Sequence, residues 1–408
     1  MIFAPDRISF SANRPRRTPC PPPDGRPRFT LDGDLALENR LAEICRQVRE
    51  RLGKIVPRRR LEAIMLGGGY GRGEGGVLRT VAGDRPYNDL EFYVFVRGHP
   101  RLNERTYGAA LHAVAEELTA AAGVDVEFKL DSLARLRRSP VTMFTYDLAM
   151  GHRWVLGTEE LLAGCAHHRR AADIPLHEAT RLLLNRCTGL LLAHERLQRP
   201  VLTADEADFV TRNLAKARLA LGDVLLAAVG RYHWSCRERG RLIAEDEAAD
   251  LAVWPWFPAV REQHRRGVEF KLRPERSLAT AAQLRAEWET VSLLARHLWL
   301  WIEGRRLQRR FRRPREYALC AADKCPETSR LRNFALNLWR RGLRALWACG
   351  ATRYPRERLL RTLPLLLWEP AALSQSVLLR HLRRELDSTA EAFSGFVSDY
   401  TRLWARYR

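Results

Sequence analysis

Leu61-Glu62-Ala63-Ile64-Met65-Leu66-Gly67-Gly68-Gly69-Tyr70-Gly71-Arg72-Gly73-Glu74-Gly75-Gly76 is the stretch that decides the fold of this 408-residue chain. Its first six residues are a short apolar run, the pattern of a buried strand. Seven glycines then crowd the ten positions 67–76. Where no Cβ intervenes, backbone N–H groups can approach a phosphate closely, so the run predicts an anion-contacting turn. Two commoner phosphate loops do not account for it. Gly71-x-Gly73-x-x-Gly76 formally matches the dinucleotide pattern, but that pattern needs a long helix next. The polar loop with Gly83, Asp84 and Pro86 leaves little room for one. A Walker A loop needs Gly-Lys-Ser or Gly-Lys-Thr, and neither is present.

Downstream, Leu90–Val96 reads as a second strand, apolar enough to be buried on both faces. Asp89 and Glu91 stand two apart at its mouth, and period-two geometry puts both carboxylates on one face. Two like charges there repel, a cost that a divalent cation between them offsets. A helix over 103–122 leads through Gly123 to a third strand, Val124–Leu130, where Asp125 and Glu127 repeat the same spacing. Carboxylates gathered from two strands suit Mg²⁺, which takes oxygen ligands and leaves positions for substrate phosphates. Upstream, Asp34 caps a helix with apolar positions Leu35, Leu41, Ile44, Val48 and Leu52.

A strand, Gly-Gly, x-x-Arg-Gly-Glu, then Asn88-Asp89-x-Glu91 on a second strand and an acid on a third resembles the DNA polymerase β-like nucleotidyltransferase superfamily, above all its minimal bacterial and small-molecule members. The resemblance covers roughly residues 61–157. It implies an α+β nucleotidyltransferase fold, a short mixed sheet with flanking helices, followed here by an all-helical C-terminal half. It implies that Gly68 and Gly69 contact the triphosphate, with Arg72 and Gly73 following, and that Asp89 and Glu91 bind two Mg²⁺, with Mn²⁺ as a substitute. The third acid falls on Asp125 or Glu127, and spacing to Pro140 and Gly151 favours Glu127. Two departures stand out: Gly69 replaces the usual serine, and the loop from Gly69 to Asp89 is long.

The implied reaction moves a nucleoside monophosphate from an NTP, with ATP the expected donor, to an acceptor hydroxyl, releasing pyrophosphate. A small molecule, a sugar or a protein side chain is the favoured acceptor, and RNA comes second. The rival from a different class is a non-catalytic nucleotide- or nucleic-acid-binding module that retains the fold, motivated by Gly69 and the basic surface.

From about residue 158 strand signals nearly vanish, and helical patterns run over 176–197, 204–229, 278–302, 333–347, 371–384 and 386–405. The expected division is a Pro/Arg-rich disordered tail over 1–30, the nucleotidyltransferase domain over 31–157, a helical domain closing the nucleotide cleft over 158–250, and a helical C-terminal domain over 251–408. Prolines 255, 258 and 274 make 244–277 the expected linker. Within 204–229, Arg212, Lys216 and Asp223 share one helical stripe. Lys216 either meets the γ-phosphate, as the resemblance implies, or belongs to a surface pair with Asp223.

Composition bounds the rest. With 46 % hydrophobic and 29 % charged residues, the chain can bury a sizeable core. No uncharged apolar run reaches membrane-spanning length, so no membrane partner is expected. Eight dispersed cysteines without a C-x-x-C pair read as reduced and structural, and the address as cytoplasmic. Cys165 with His167 and His168, or Cys320 with Cys325, falls short of the four ligands of a structural zinc site. The net charge of +21 comes almost wholly from arginine, which weakens it as a nucleic-acid signal. The densest run, Arg305 to Arg315, reads as a solvated helix end before it reads as an RNA track, and the C-terminal tryptophans as core.

Overall fold

The computed structural model describes residues 28–245, 254–276, 279–342 and 350–407. The tail up to residue 27, and with it Cys20, lies outside these, as do Trp347 and Cys349.

Helix α1 (Leu35–Ile55) starts where Asp34 accepts the Leu37 N–H at 2.7 Å. Strand β1 (Leu61–Leu66) runs into a one-turn helix α2 (Gly68–Gly71) made of the glycine run. The expected polar loop is instead a hairpin, β2 (Val77–Thr80) with β3 (Gly83–Pro86). Its strands carry no apolar alternation because the hairpin is held by polar groups. Asp84 accepts the Asp34 N–H at 2.8 Å, Asp34 accepts the Asp84 N–H at 3.1 Å, and Arg79 pairs with Asp84. Then follow β4 (Leu90–Val96), α3 (Pro100–Ala122), β5 (Val126–Asp131), the short α4 (Leu133–Leu136), α5 (Met143–Met150) and β6 (Arg153–Leu156). Strand β5 begins two residues later than the apolar pattern suggests, which leaves Asp125 just outside it.

The main sheet is mixed, in the order β5-β4-β1-β6. Strands β4 and β5 are parallel across the α3 crossover, and β1 is antiparallel to both β4 and β6. Ile64, Leu66, Phe92, Val94 and Val96 bury one face under α1 and α3. Ala63, Met65, Tyr93 and Phe95 point the other way, onto Leu133, Leu136 and Leu148. Because β1 opposes β4, the C-terminal end of β1 meets the N-terminal ends of β4 and β5. The glycine turn and the acids therefore share one edge.

After two 3₁₀ segments the chain is helical: α6 (Leu176–Leu197), α7 (Ala204–Ala228), α8 (Cys236–Ala244), α9 (Phe257–Leu272), α10 (Ala281–Arg306), α11 (Pro314–Leu319), α12 (Arg330–Arg341), α13 (Glu357–Trp368), α14 (Ser376–Leu386) and α15 (Phe393–Tyr407). The fold class is thus α+β, a small mixed sheet with helices around it and a helical C-terminal half. One apolar core runs from Tyr146 to Tyr407 through these helices. The expected linker is in large part helix α9, because Pro258 sits in its first turn, where a missing N–H costs nothing. Trp288 and Trp299 are buried as expected, whereas Trp339 is exposed. No described helix is long and apolar enough to cross a membrane.

Candidate active site

Glu91 and Glu127 are register partners on the parallel pair β4 and β5, so their side chains leave the sheet on the same face. With Asp89 they form a group in which one carboxylate oxygen from each residue lies within 4.8 Å of the other two. Asp89 and Glu127 are exposed, and Glu91 is half-buried. Asp125 lines the adjoining cavity but stands outside that group, and its carbonyl accepts the Leu90 N–H at 2.8 Å. Of the two candidates for a third acid, the structure gathers Glu127 with the pair.

Lys129, which the sequence did not single out, lies on the same face two residues beyond Glu127. Its ammonium bonds to Glu91, stands 3.4 Å from Glu127 and lies 5.5 Å from the centre of the Tyr93 ring. Partial burial opposes its charge, but the bond to Glu91 and the neighbouring Tyr93 and Glu127 outweigh that and raise its pKa. The acids thus already hold positive charge, and an all-oxygen set of three carboxylates has the chemistry Mg²⁺ prefers.

The glycine turn abuts the same acids. Gly68 has φ +62°, and a Cβ there would stand 3.1 Å from Glu91 Oε2, so the bare backbone reaches the carboxylate. Gly71 is packed so tightly that a Cβ would lie 2.1 Å from the Leu66 carbonyl. At Gly69 a side chain would meet the Glu74 carbonyl at 3.1 Å, which gives a packing reason for glycine at the expected serine position. Gly73 turns the chain at φ +75° beside the Arg28 carbonyl. Arg72 points inward, with Nη1 3.9 Å from Asp147 Oδ2 and Nε 4.0 Å from Glu74 Oε2.

A cavity of about 730 Å³ opens beside Asp89 toward the helices, and Glu91, Glu127, Gly68 and Gly69 do not line it. Asp89 and Asp125 line one side, and Arg72, Lys216 of α7 and Lys271 of α9 also face it. Lys271 is the other residue that sequence reading missed, because it falls in the stretch taken for a linker. Gly76 fixes its place: a Cβ there would lie 3.1 Å from the Lys271 carbonyl. Burial and the nearby Arg72 charge push the Lys271 pKa down, with Lys216 adding to the effect and Asp89 opposing it. Cations crowded around one ammonium of lowered pKa mark a place where an anion relieves repulsion.

Lys216 faces the cavity, and Asp223 is not its surface partner. Asp223 is buried and takes Arg239 at 2.6 Å and His264 at 3.2 Å. Asp147 of α5, 3.9 Å from Arg72, accepts the Tyr232 hydroxyl at 3.2 Å. Burial pushes its carboxyl up to about 6, against the pull of Arg72. Aromatic side chains complete the lining, with Tyr87 edge-on to Phe270 at 6.0 Å and the exposed Phe144 5.3 Å from Tyr93. In the basic run, Arg306 turns in to pair with Glu303 and also lines the cavity, whereas Arg309, Arg310, Arg312 and Arg313 are exposed and do not.

No family model, no curated protein and no solved structure matches the chain.

Proposed function

We propose that this chain is a Mg²⁺-dependent nucleotidyltransferase with a nucleotidyltransferase fold over about residues 31–157. The observation that carries the reading is one juxtaposition. Asp89, Glu91 and Glu127 converge beside the bare backbone of Gly68, and the cavity next to them is lined by Arg72, Lys216 and Lys271. A triphosphate needs both halves of that arrangement, oxygen ligands for its cation and cationic groups for its outer phosphates.

When bound, Mg²⁺ supplies charge neutralisation at the reacting phosphate. Asp89 and Glu91 would hold it, with Glu127 within reach. Lys216 and Lys271 bind and orient the β- and γ-phosphates, and Gly68 lets the chain approach them without a side chain in the way. In this reading Glu127 accepts the acceptor hydroxyl proton. The new bond joins the acceptor oxygen to the α-phosphorus as the bond to the bridging oxygen breaks and pyrophosphate departs. ATP is the proposed donor, and Mn²⁺ the proposed substitute ion.

The acceptor is proposed to be a small molecule, sugar or protein side chain. RNA is second, because the exposed arginines 309, 310, 312 and 313 do not line the cavity. Six described free cysteines suit a reducing cytoplasm. One observation favours a second reading, a binding module without turnover: Lys129 already neutralises part of the acid cluster.

Incubation with each labelled NTP, Mg²⁺ and a host-cell lysate separates the two. The transferase labels an acceptor and releases pyrophosphate, EDTA abolishes this, and Asp89→Asn lowers it by at least ~10²-fold, the scale for losing a major electrostatic stabiliser. Tight nucleotide binding without pyrophosphate release from any NTP would leave the module reading.

A further inference from the structure

The two oxygens of Glu91 face different neighbours. Oε2 lies toward the glycine turn, 3.1 Å from where a Gly68 Cβ would be. Oε1 carries the Lys129 ammonium, which also stands 3.4 Å from Glu127 Oε2. Glu91 is therefore shared between a position beside the triphosphate turn and a position already filled by a cation.

We propose that Lys129 is a built-in cation occupying the place between Glu91 and Glu127, so that the site takes one divalent ion beside Gly68 and not two. The inference rests on the nucleotidyltransferase reading above. Strand geometry brings it within reach: Lys129 follows Glu127 by two residues on β5, so both side chains share a face, and the register sets Lys129 across from Tyr93. The Tyr93 ring, 5.5 Å from the ammonium, adds a cation–π contact that helps hold it there.

A second divalent ion would have to approach the ammonium and displace it from both glutamates, against Coulomb repulsion that is strong at such separations in a partly buried site. Lysine suits the role because its ammonium is a compact point charge, close in shape to an ion, where a guanidinium is a planar fork. In the reaction Lys129 is a positioning residue, fixing the Glu91 and Glu127 carboxylates while Glu127 takes the proton.

Counting ions tests the proposal without turnover. The full chain is saturated with α,β-methylene-ATP, which cannot transfer its nucleotide, and Mn²⁺ is titrated by electron paramagnetic resonance. Wild type should bind one Mn²⁺ per bound nucleotide and show an uncoupled single-ion spectrum. Lys129→Met should bind two, with spectra broadened by ion–ion coupling, and Lys129→Arg should stay at one. Lys129→Gln serves if the methionine variant misfolds. Two ions in wild type, or one in both neutral variants, would overturn the inference and leave the transferase reading standing. Nucleotide bound with no ion at all would remove that reading and this inference together.

Discussion

Glu74, in the glycine-rich turn, accepts a 2.8 Å hydrogen bond at Oε2 from the backbone N–H of Cys236, 162 residues later in the chain. Its Oε1 takes the Ser235 hydroxyl and the Arg237 N–H, the latter at 3.3 Å. Glu74 thereby caps α8 and ties the turn to the helical half, while Arg72, two residues earlier, lines the cavity. Within Arg-Gly-Glu, the arginine faces the cavity and the glutamate holds the scaffold. Glu74→Ala leaves buried donors without an acceptor and should lower stability by about 2–3 kcal/mol, the scale for losing bonds to a buried charged group. Urea unfolding read by tryptophan fluorescence checks it, and an unchanged midpoint would show that the cap is replaceable.

The third acid is separable by ranking. Glu127 shares the oxygen cluster with Asp89 and Glu91, and Asp125 does not. Glu127→Gln should cripple the chemical step in single-turnover assays by ~10²-fold or more, while nucleotide affinity changes little. Asp125→Asn should be mild. The reverse order would transfer the role to Asp125.

On the proposed reading Lys271 carries a different expectation, because its charge sits in an unfavourable place before an anion arrives. Burial and Arg72 depress its pKa, so Lys271→Met should leave stability unchanged or raised while binding worsens. Losing one charge-assisted bond to a phosphate is worth about 1.5–3 kcal/mol, or roughly a 10- to 100-fold rise in KM for the NTP. Kinetics with saturating acceptor, alongside thermal melts, measure both arms. A KM within twofold of wild type would remove Lys271 from the phosphate site.

The parts of the fold legible in sequence are those where one apolar pattern decides the outcome. Strands Leu61–Leu66 and Leu90–Val96 and helix Leu176–Leu197 begin and end where their patterns do. The hairpin over residues 77–86 was not legible because Gly83, Asp84 and Pro86 are loop formers by type, and the distant Asp34 together with Arg79 anchors Asp84. The pentapeptide Val-Glu-Phe-Lys-Leu shows the limit most sharply. At 126–130 it is strand β5, and at 268–272 it is the end of helix α9. Local sequence is identical, so packing partners choose the structure. Both copies also carry a lysine that belongs to the site, Lys129 and Lys271. Neither had a signal beyond a single basic residue, whereas the Asp89/Glu91 pair announced itself by two like charges at a buried strand. A site assembled across the sheet and α9 is visible only when tertiary structure brings its two sides together.

Asp147 makes stability depend on pH in a direction opposite to an ordinary ion-paired carboxylate. Burial lifts its pKa from 3.8 to about 6, and Arg72 only partly counters this. The folded state therefore holds the proton more tightly than the unfolded chain does. The stability this gives is fully present below the unfolded value of 3.8 and is lost as pH rises through about 6. Part of the side chain faces the cavity, so solvent moderates the effect. Asp147→Asn stays neutral throughout and can still accept the Tyr232 hydroxyl through its amide oxygen. The difference in unfolding free energy, wild type minus variant, should fall as pH is raised from about 4 to about 7 and level off above that. Chemical denaturation in steps across this range measures it directly. A difference that rose with pH would mean that Arg72, 3.9 Å away, dominates over burial and holds Asp147 as a conventional ion pair.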